Sequence, residues 1–201
     1  MKRFAFVLAL LTIVLPGICF AGPFGFDYGM TKQQVIAKVG KDAVLKDQDY
    51  FLRVSTAPKP DSAFEAYLLV ISPKTGLVKI VATGKTIDTG AYGTELQVGF
   101  SSVRHALAAE YGAPTIDYDF LQPDSNLGAP SDWTAGLLKK DRKLASAWDF
   151  TTPRHKPAGV KDKHLTSILM EAKGLRKDAG WVDVSYEFQG FEELSKSVNK
   201  K

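Results

Sequence analysis

A short capped helix followed by β-prone segments occurs twice in this chain, and that recurrence limits the possible folds more than any other feature. The first copy opens with Gly29-Met30-Thr31-Lys32-Gln33-Gln34-Val35-Ile36-Ala37-Lys38-Val39-Gly40. Thr31 suits an N-cap, and Gln34 three positions on completes a capping box. Val35, Ile36 and Val39 share one helical face, and Gly40 can adopt the left-handed backbone that stops a helix. In the second copy, Gly99-Phe100-Ser101-Ser102 leads into Val103, Ala106, Leu107 and Tyr111 on one face, with Gly112 and Pro114 as stops. The helix-opening glycines lie 70 positions apart (99 − 29), a plausible duplication period.

Three strands are expected after the first helix: Tyr50 to Thr56, Phe64 to Ser72 and Leu77 to Lys85. Pro73-Lys74-Thr75-Gly76 joins the last two, with Pro presetting the turn and Gly supplying a positive φ, so they form a hairpin. Thr86 to Gln97 carries Gly90 and Gly93 with little periodicity and reads as a connector. The second half adds a polar loop from Asp117 to Ser131 and a short helix from Asp132 to Lys140 capped by Ser131. Strands Lys143–Phe150, His164–Ala172 and Trp181–Phe188 follow, the last two joined by a polar turn from Lys173 to Gly180. In the last strand Val182, Val184, Tyr186 and Phe188 alternate with Asp183, Ser185 and Glu187, the pattern of a half-buried antiparallel strand. Phe191, Leu194 and Val198 predict a terminal helix.

The fold class expected is α+β: two tandem helix-plus-antiparallel-meander units with helices packed on one face of the sheet. The divisions are a leader over 1–21, a first unit over 22–87, a connector over 88–97, a second unit over 98–190, and a C-terminal helix with basic tail over 191–201.

The Gly-Met-Thr-x-x-Gln-Val-x-x-x-Val-Gly helix and the hairpin turning at Pro-Lys-Thr-Gly resemble the repeat unit of the β-lactamase-inhibitor-like fold. Secreted inhibitors share that fold with the small lipoprotein of the outer-membrane β-barrel assembly machinery. The stretch from Tyr111-Gly112-x-Pro to Trp133, Arg142 and Trp148 also resembles exported bacterial proteins. The resemblance implies a fold and a habit of binding proteins, and carries over no functional residue. The chain departs from the inhibitors, which have disulfides, and from the lipoprotein, which is lipidated and single-unit.

Lys2 and Arg3, an apolar run from Phe4 to Leu15, the break at Pro16-Gly17 and the small-residue site Cys19-Phe20-Ala21 form the three-part pattern of a secretory signal. Ile18 and Pro16 do not fit a lipid-attachment site at Cys19, so cleavage after Ala21 is expected, with a location beyond the inner membrane: periplasmic or secreted. The remaining 180 residues (201 − 21) contain no cysteine, hence no disulfide and no thiolate nucleophile. Losing Lys2 and Arg3 lowers the net charge from +4 to +2, and the remaining basic residues are scattered, which argues against nucleic acid. No later apolar stretch reaches membrane-spanning length.

Chemistry-bearing patterns are few. His105, His155 and His164 show no metal or triad spacing, and there is no Gly-x-Ser-x-Gly or His-Glu-x-x-His. The oxygen-rich stretch Asp117–Asn126 lacks EF-hand spacing. No phosphate loop, metal site or cofactor is expected. Two features point to binding. Trp181 shares the polar face of its strand, and Trp is a residue type that anchors partners. Trp133, Arg142 and Trp148 form an aromatic–cation cluster that could line a ligand pocket. The function expected is a non-enzymatic protein-binding module of the bacterial cell envelope, partnered with another envelope or secreted protein through sheet faces or the concavity between its halves. The alternatives are a small-ligand binder with its pocket near Trp133, Arg142 and Trp148, an inhibitor of a secreted enzyme, and a hydrolase whose residues converge from loops.

Overall fold

A computed structural model describes residues 22–152 and 162–198. The expected leader with Cys19, the loop histidine His155 and the Lys200-Lys201 tail lie outside the described residues. The first helix, α1 (Lys32–Val39), carries the expected capping box: Gln34 N–H donates to Thr31 Oγ1 at 3.3 Å and Thr31 N–H to Gln34 Oε1 at 2.9 Å. Four strands follow, β1 (Val44–Gln48), β2 (Phe51–Val54), β3 (Phe64–Ser72) and β4 (Gly76–Gly84). The hairpin between β3 and β4 turns at Pro73–Thr75 as expected, with Gly76 at φ 76°.

Strand β5 (Ile87–Asp88) leads to helix α2 (Thr94–Tyr111). Beyond it lie β6 (Ile116–Leu121), α3 (Trp133–Lys139), β7 (Arg142–Asp149), β8 (Leu165–Arg176), β9 (Ala179–Phe188) and α4 (Phe191–Val198). The nine strands among the described residues form one antiparallel sheet in the order β1-β2-β3-β4-β9-β8-β7-β6, with β5 pairing β9. The fold is α+β, as the alternation of patterns predicts. Each half contributes a helix and then a four-stranded meander, interrupted in the second half by α3 between β6 and β7 and followed there by α4; the last strands of the two meanders, β4 and β9, join them.

Several local expectations change. Helix α2 begins at Thr94, eight positions before Ser102, so Gly99 lies inside the helix instead of opening it. Leu96 and Phe100 supply two further buried anchors, and a Cβ at Gly99 would lie 2.7 Å from Ile87 Cδ1, so the glycine permits close approach to β5. The structural period is therefore set by the closing glycines. Gly40 and Gly112 have φ of 87° and 81°, and each is followed by a strand at the same spacing, 72 positions apart (112 − 40 and 116 − 44). Helix α3 is preceded by a 3-10 turn at Pro130–Asp132, and Ser131 does not cap it. The first part of the expected polar loop is strand β6, and β8 runs on through Arg176. Strand β1 was not expected at all.

Val35 of α1, Leu96, Phe100, Leu107 and Tyr111 of α2, and Trp133 and Leu137 of α3 enter one buried cluster. The sheet's contribution to it includes Leu52, Leu69, Ile80, Ile168, Met170 and Val184. These three helices thus share one face. Helix α4 lies over the opposite face, where Phe191, Leu194 and Val198 border a groove floored by Leu68, Val70 and Val81. No helix among the described residues is long and apolar enough to cross a membrane.

Candidate functional site

Alternation along the central strands leaves one sheet face bare of α1, α2 and α3; α4 lies over its Leu68, Val70 and Val81 part, and the Trp181 end and the β6 side are open. Register places the side chains. Trp181 lies opposite Lys173, Asp183 between Thr83 and Glu171, Ser185 between Val81 and Leu169, and Glu187 between Lys79 and Ser167. Opposite charges pair on this face: Lys79 Nζ of β4 is 2.7 Å from Glu187 Oε1 of β9 across the strands, and Lys173 bridges to Glu171 two positions back along β8. Towards the β6 edge the same face becomes apolar. Leu169 is exposed, and Ile116 and Phe120 are exposed beyond Ala147 and Lys143. Lys143 sits 5.0 Å from the Tyr118 ring.

Trp181 is on this face, as its strand position predicts, but it is half-buried. Its indole N–H donates to Asp183 Oδ1 at 2.7 Å. Burial pushes the Asp183 carboxyl above its ordinary range. The Trp181 N–H, the Lys173 charge and the Gly84 backbone oppose that rise, and the Glu171 charge adds to it. Across the resulting window the native state binds more protons than the unfolded chain, so stability falls as pH rises through it. The penalty is absent below the ordinary Asp pKa and complete above the raised one. Asp183→Asn keeps an acceptor for Trp181 and is expected to raise the melting temperature at pH 7. Its advantage should disappear below about pH 4. Parallel melts of both proteins across that range check the sign.

The other expected binding residues are placed differently. Trp133 is buried, and Gly93 accommodates it: a Cβ there would lie 1.9 Å from Trp133 Cε3. Arg142 stacks on Trp133 at 5.8 Å and reaches Asp119 Oδ1 at 3.2 Å, while its Nε is enclosed without a partner. Trp148 is 1% exposed and donates its indole N–H to Gly112 O at 2.8 Å. The structure brings Trp133 and Arg142 together, engages Trp148 at the end of α2, and sets Trp181 on the opposite face. None of the four lines the cleft beside α2 or the grooves bordering α4.

Sequence reasoning did not locate the cleft of about 770 Å³ on the helix side, between α2 and the first half's N-terminal turn and 59–64 loop. Phe24 forms part of its wall at φ 58°, an unusual conformation for a non-glycine residue. Such strain costs on the order of 1–3 kcal/mol and needs surrounding contacts to hold it. Here the ring sits 4.9 Å from Tyr67, 5.4 Å from Phe64 and 5.7 Å from Tyr186. The signal available was Phe24 itself, a large aromatic just after Gly22-Pro23.

The oxygen-rich stretch is consumed by structure. Asp117 pairs with Arg104 and accepts from Ser146, and Asp119 pairs with Arg142. The Arg104 hydrogen bond holds the Asp117 carboxyl below its ordinary range. Exposed His105 lies 3.5 Å from Ser101 Oγ, and His164 stacks on Tyr28 at 4.3 Å with Nδ1 3.1 Å from Gln189 Oε1. Among the described residues no group of three or more His, Cys, Asp or Glu is placed to hold a metal ion. A scan against protein-family models, a search of curated proteins and a search of solved structures each found no match for the chain.

Proposed function

We propose that this chain is an exported, non-enzymatic protein-binding module of the bacterial cell envelope, periplasmic or secreted after cleavage behind Ala21, and that its protein partner docks on the open sheet face. The observation that carries this reading is the composition of that face. A half-buried Trp181 held by Asp183 adjoins the Lys173–Glu171 ion pair, and exposed Leu169, Ile116 and Phe120 continue the surface to the β6 edge. A rigid aromatic beside apolar area with a polar surround is the make-up of an interface centre and its rim. The resemblance of the α1 helix and its hairpin to the inhibitor-like repeat supports the same reading, and inhibition of a secreted enzyme is one form of it.

Site-specific photocrosslinking tests the proposal. A crosslinking residue is placed at Leu169 on the open face and, separately, at exposed Ala106 on α2. Each protein is incubated with envelope extract. A discrete protein adduct is expected at Leu169 and not at Ala106, and Trp181→Ala should reduce it about tenfold or more, the effect of losing a central anchor. Equal adducts at both positions, no adduct at Leu169, or indifference to Trp181→Ala would overturn the proposal.

A further inference from the structure

The helix-side cleft carries an inference independent of the open face. Its floor is Val184 and Tyr186 of β9, and its walls include Phe24, Phe64, Leu107 and Tyr111. Tyr186 is only 5% exposed, yet its hydroxyl makes no hydrogen bond among the described residues. Among the described residues the fully enclosed side-chain polar atoms without partners are Arg142 Nε and Ser185 Oγ, so the Tyr186 oxygen reaches the cleft. A buried phenol without a protein partner is costly unless water or a ligand satisfies it.

The electrostatics of the cleft select a sign. Burial pushes both tyrosine hydroxyls far above the ordinary phenol range, and the Glu110 charge pushes both further, with Asp61 adding at Tyr186. Both rings therefore stay neutral and present oxygen lone pairs and π faces. Glu110 and Asp61 line the cleft against a single lysine, Lys59. Rings of Tyr111 and Tyr186 stand 6.2 Å apart, and Phe24 meets Tyr186 edge-on. Aromatic walls, a free phenol oxygen and an acidic rim are what a cation with an apolar body requires.

We propose that the cleft between α2 and the Phe24 turn binds a small organic amine in its ammonium form, with its apolar body against Phe24, Leu107 and Tyr111 and its N–H groups donated to the Tyr186 hydroxyl. Glu110 contributes by charge at the rim.

The test is a ¹H–¹⁵N NMR titration of the full protein with 2-phenylethylammonium chloride. Its uncharged and anionic counterparts, 2-phenylethanol and 3-phenylpropanoate, are run alongside. Saturable shifts are expected at Val103, Leu107, Val184 and Tyr186, with the alcohol about fivefold weaker, as the loss of one cation–aromatic interaction predicts. The anion should not bind. Tyr186→Phe removes only the oxygen and should weaken the amine about fivefold. Glu110→Gln, on the exposed side of α2, should weaken it about threefold. Equal affinity for amine and alcohol, binding of the anion, unchanged binding by Tyr186→Phe, or no shifts at these residues would overturn the proposal. None of these outcomes bears on crosslinking at Leu169.

Discussion

Trp148→Ala is expected to cost about 3–5 kcal/mol, the range for removing a large aromatic from a packed core. Trp148 is 1% exposed, lies opposite Ile168 in the sheet, and donates its indole N–H to Gly112 O. That carbonyl belongs to the residue that ends α2, so the substitution leaves a cavity and also frees an acceptor that had fixed the helix end against the sheet. Urea unfolding should show a lower midpoint with the slope unchanged. Trp181→Ala provides the contrast. Its indole is half-buried on the open face, so its loss should cost about 1 kcal/mol or less. Similar losses for both tryptophans would mean that the two sheet faces are not distinguished as described.

Gly76→Ala is the second large effect. Gly76 has φ 76°, and a Cβ there would lie 2.0 Å from the backbone oxygen of Gly29. The neighbour is main chain, held in place by Gly29 N–H to Leu77 O at 3.0 Å and Leu77 N–H to Met30 O at 2.8 Å. Those bonds tie the entrance of α1 to the hairpin tip, so a methyl group at 76 must separate them. A loss of about 3 kcal/mol or more is expected, from the left-handed backbone and the clash together. Gly40→Ala separates the two causes. It shares a positive φ, 87°, but its Cβ would meet nothing within 4 Å. Its cost should be about 1–2 kcal/mol, from conformation alone. Thermal melts of the pair give the difference.

The chain announced its local structure through capping, turn and alternation chemistry. Thr31 with Gln34, Pro73 to Gly76, and the alternation from Trp181 to Phe188 each led to an element that is present. What escaped notice has physical reasons. Strands β1 and β6 are the two edges of the sheet and largely exposed. Val44–Gln48 lacks the apolar alternation that marks a strand, whereas in β6 Ile116, Tyr118 and Phe120 do alternate with Asp117 and Asp119, a signal obscured by the polar stretch that continues to Ser131. In β6 the alternating residues Asp117 and Asp119 face Arg104 and Arg142, contacts that only the assembled sheet creates. The true start of α2 was masked by Gly93 and Gly99, whose roles depend on Trp133 and Ile87, distant in the chain and close in space. Of the candidate site, the face that holds Trp181 was legible from period-2 alternation. The i, i+2 spacing puts Asp183 on the same face, within reach of the Trp181 indole N–H. The cleft was not legible, because its walls come from residues 22–24, 59–64 and 102–111 and its floor from β9.

The seam between β4 and β9 has a kinetic consequence. Lys79 and Glu187, which face each other across it, are separated by 108 positions. The first meander can zip up by local hairpins, but its inner border stays raw until the ninth strand has been synthesised and brought back. Loop closure over that distance precedes the reward of ladder formation. During this interval β4 offers unpaired N–H and C=O groups along an apolar strand, which another nascent copy could capture. Closing the seam, more than completing either half, therefore sets how long the polypeptide stays open to proteolysis and to misassembly.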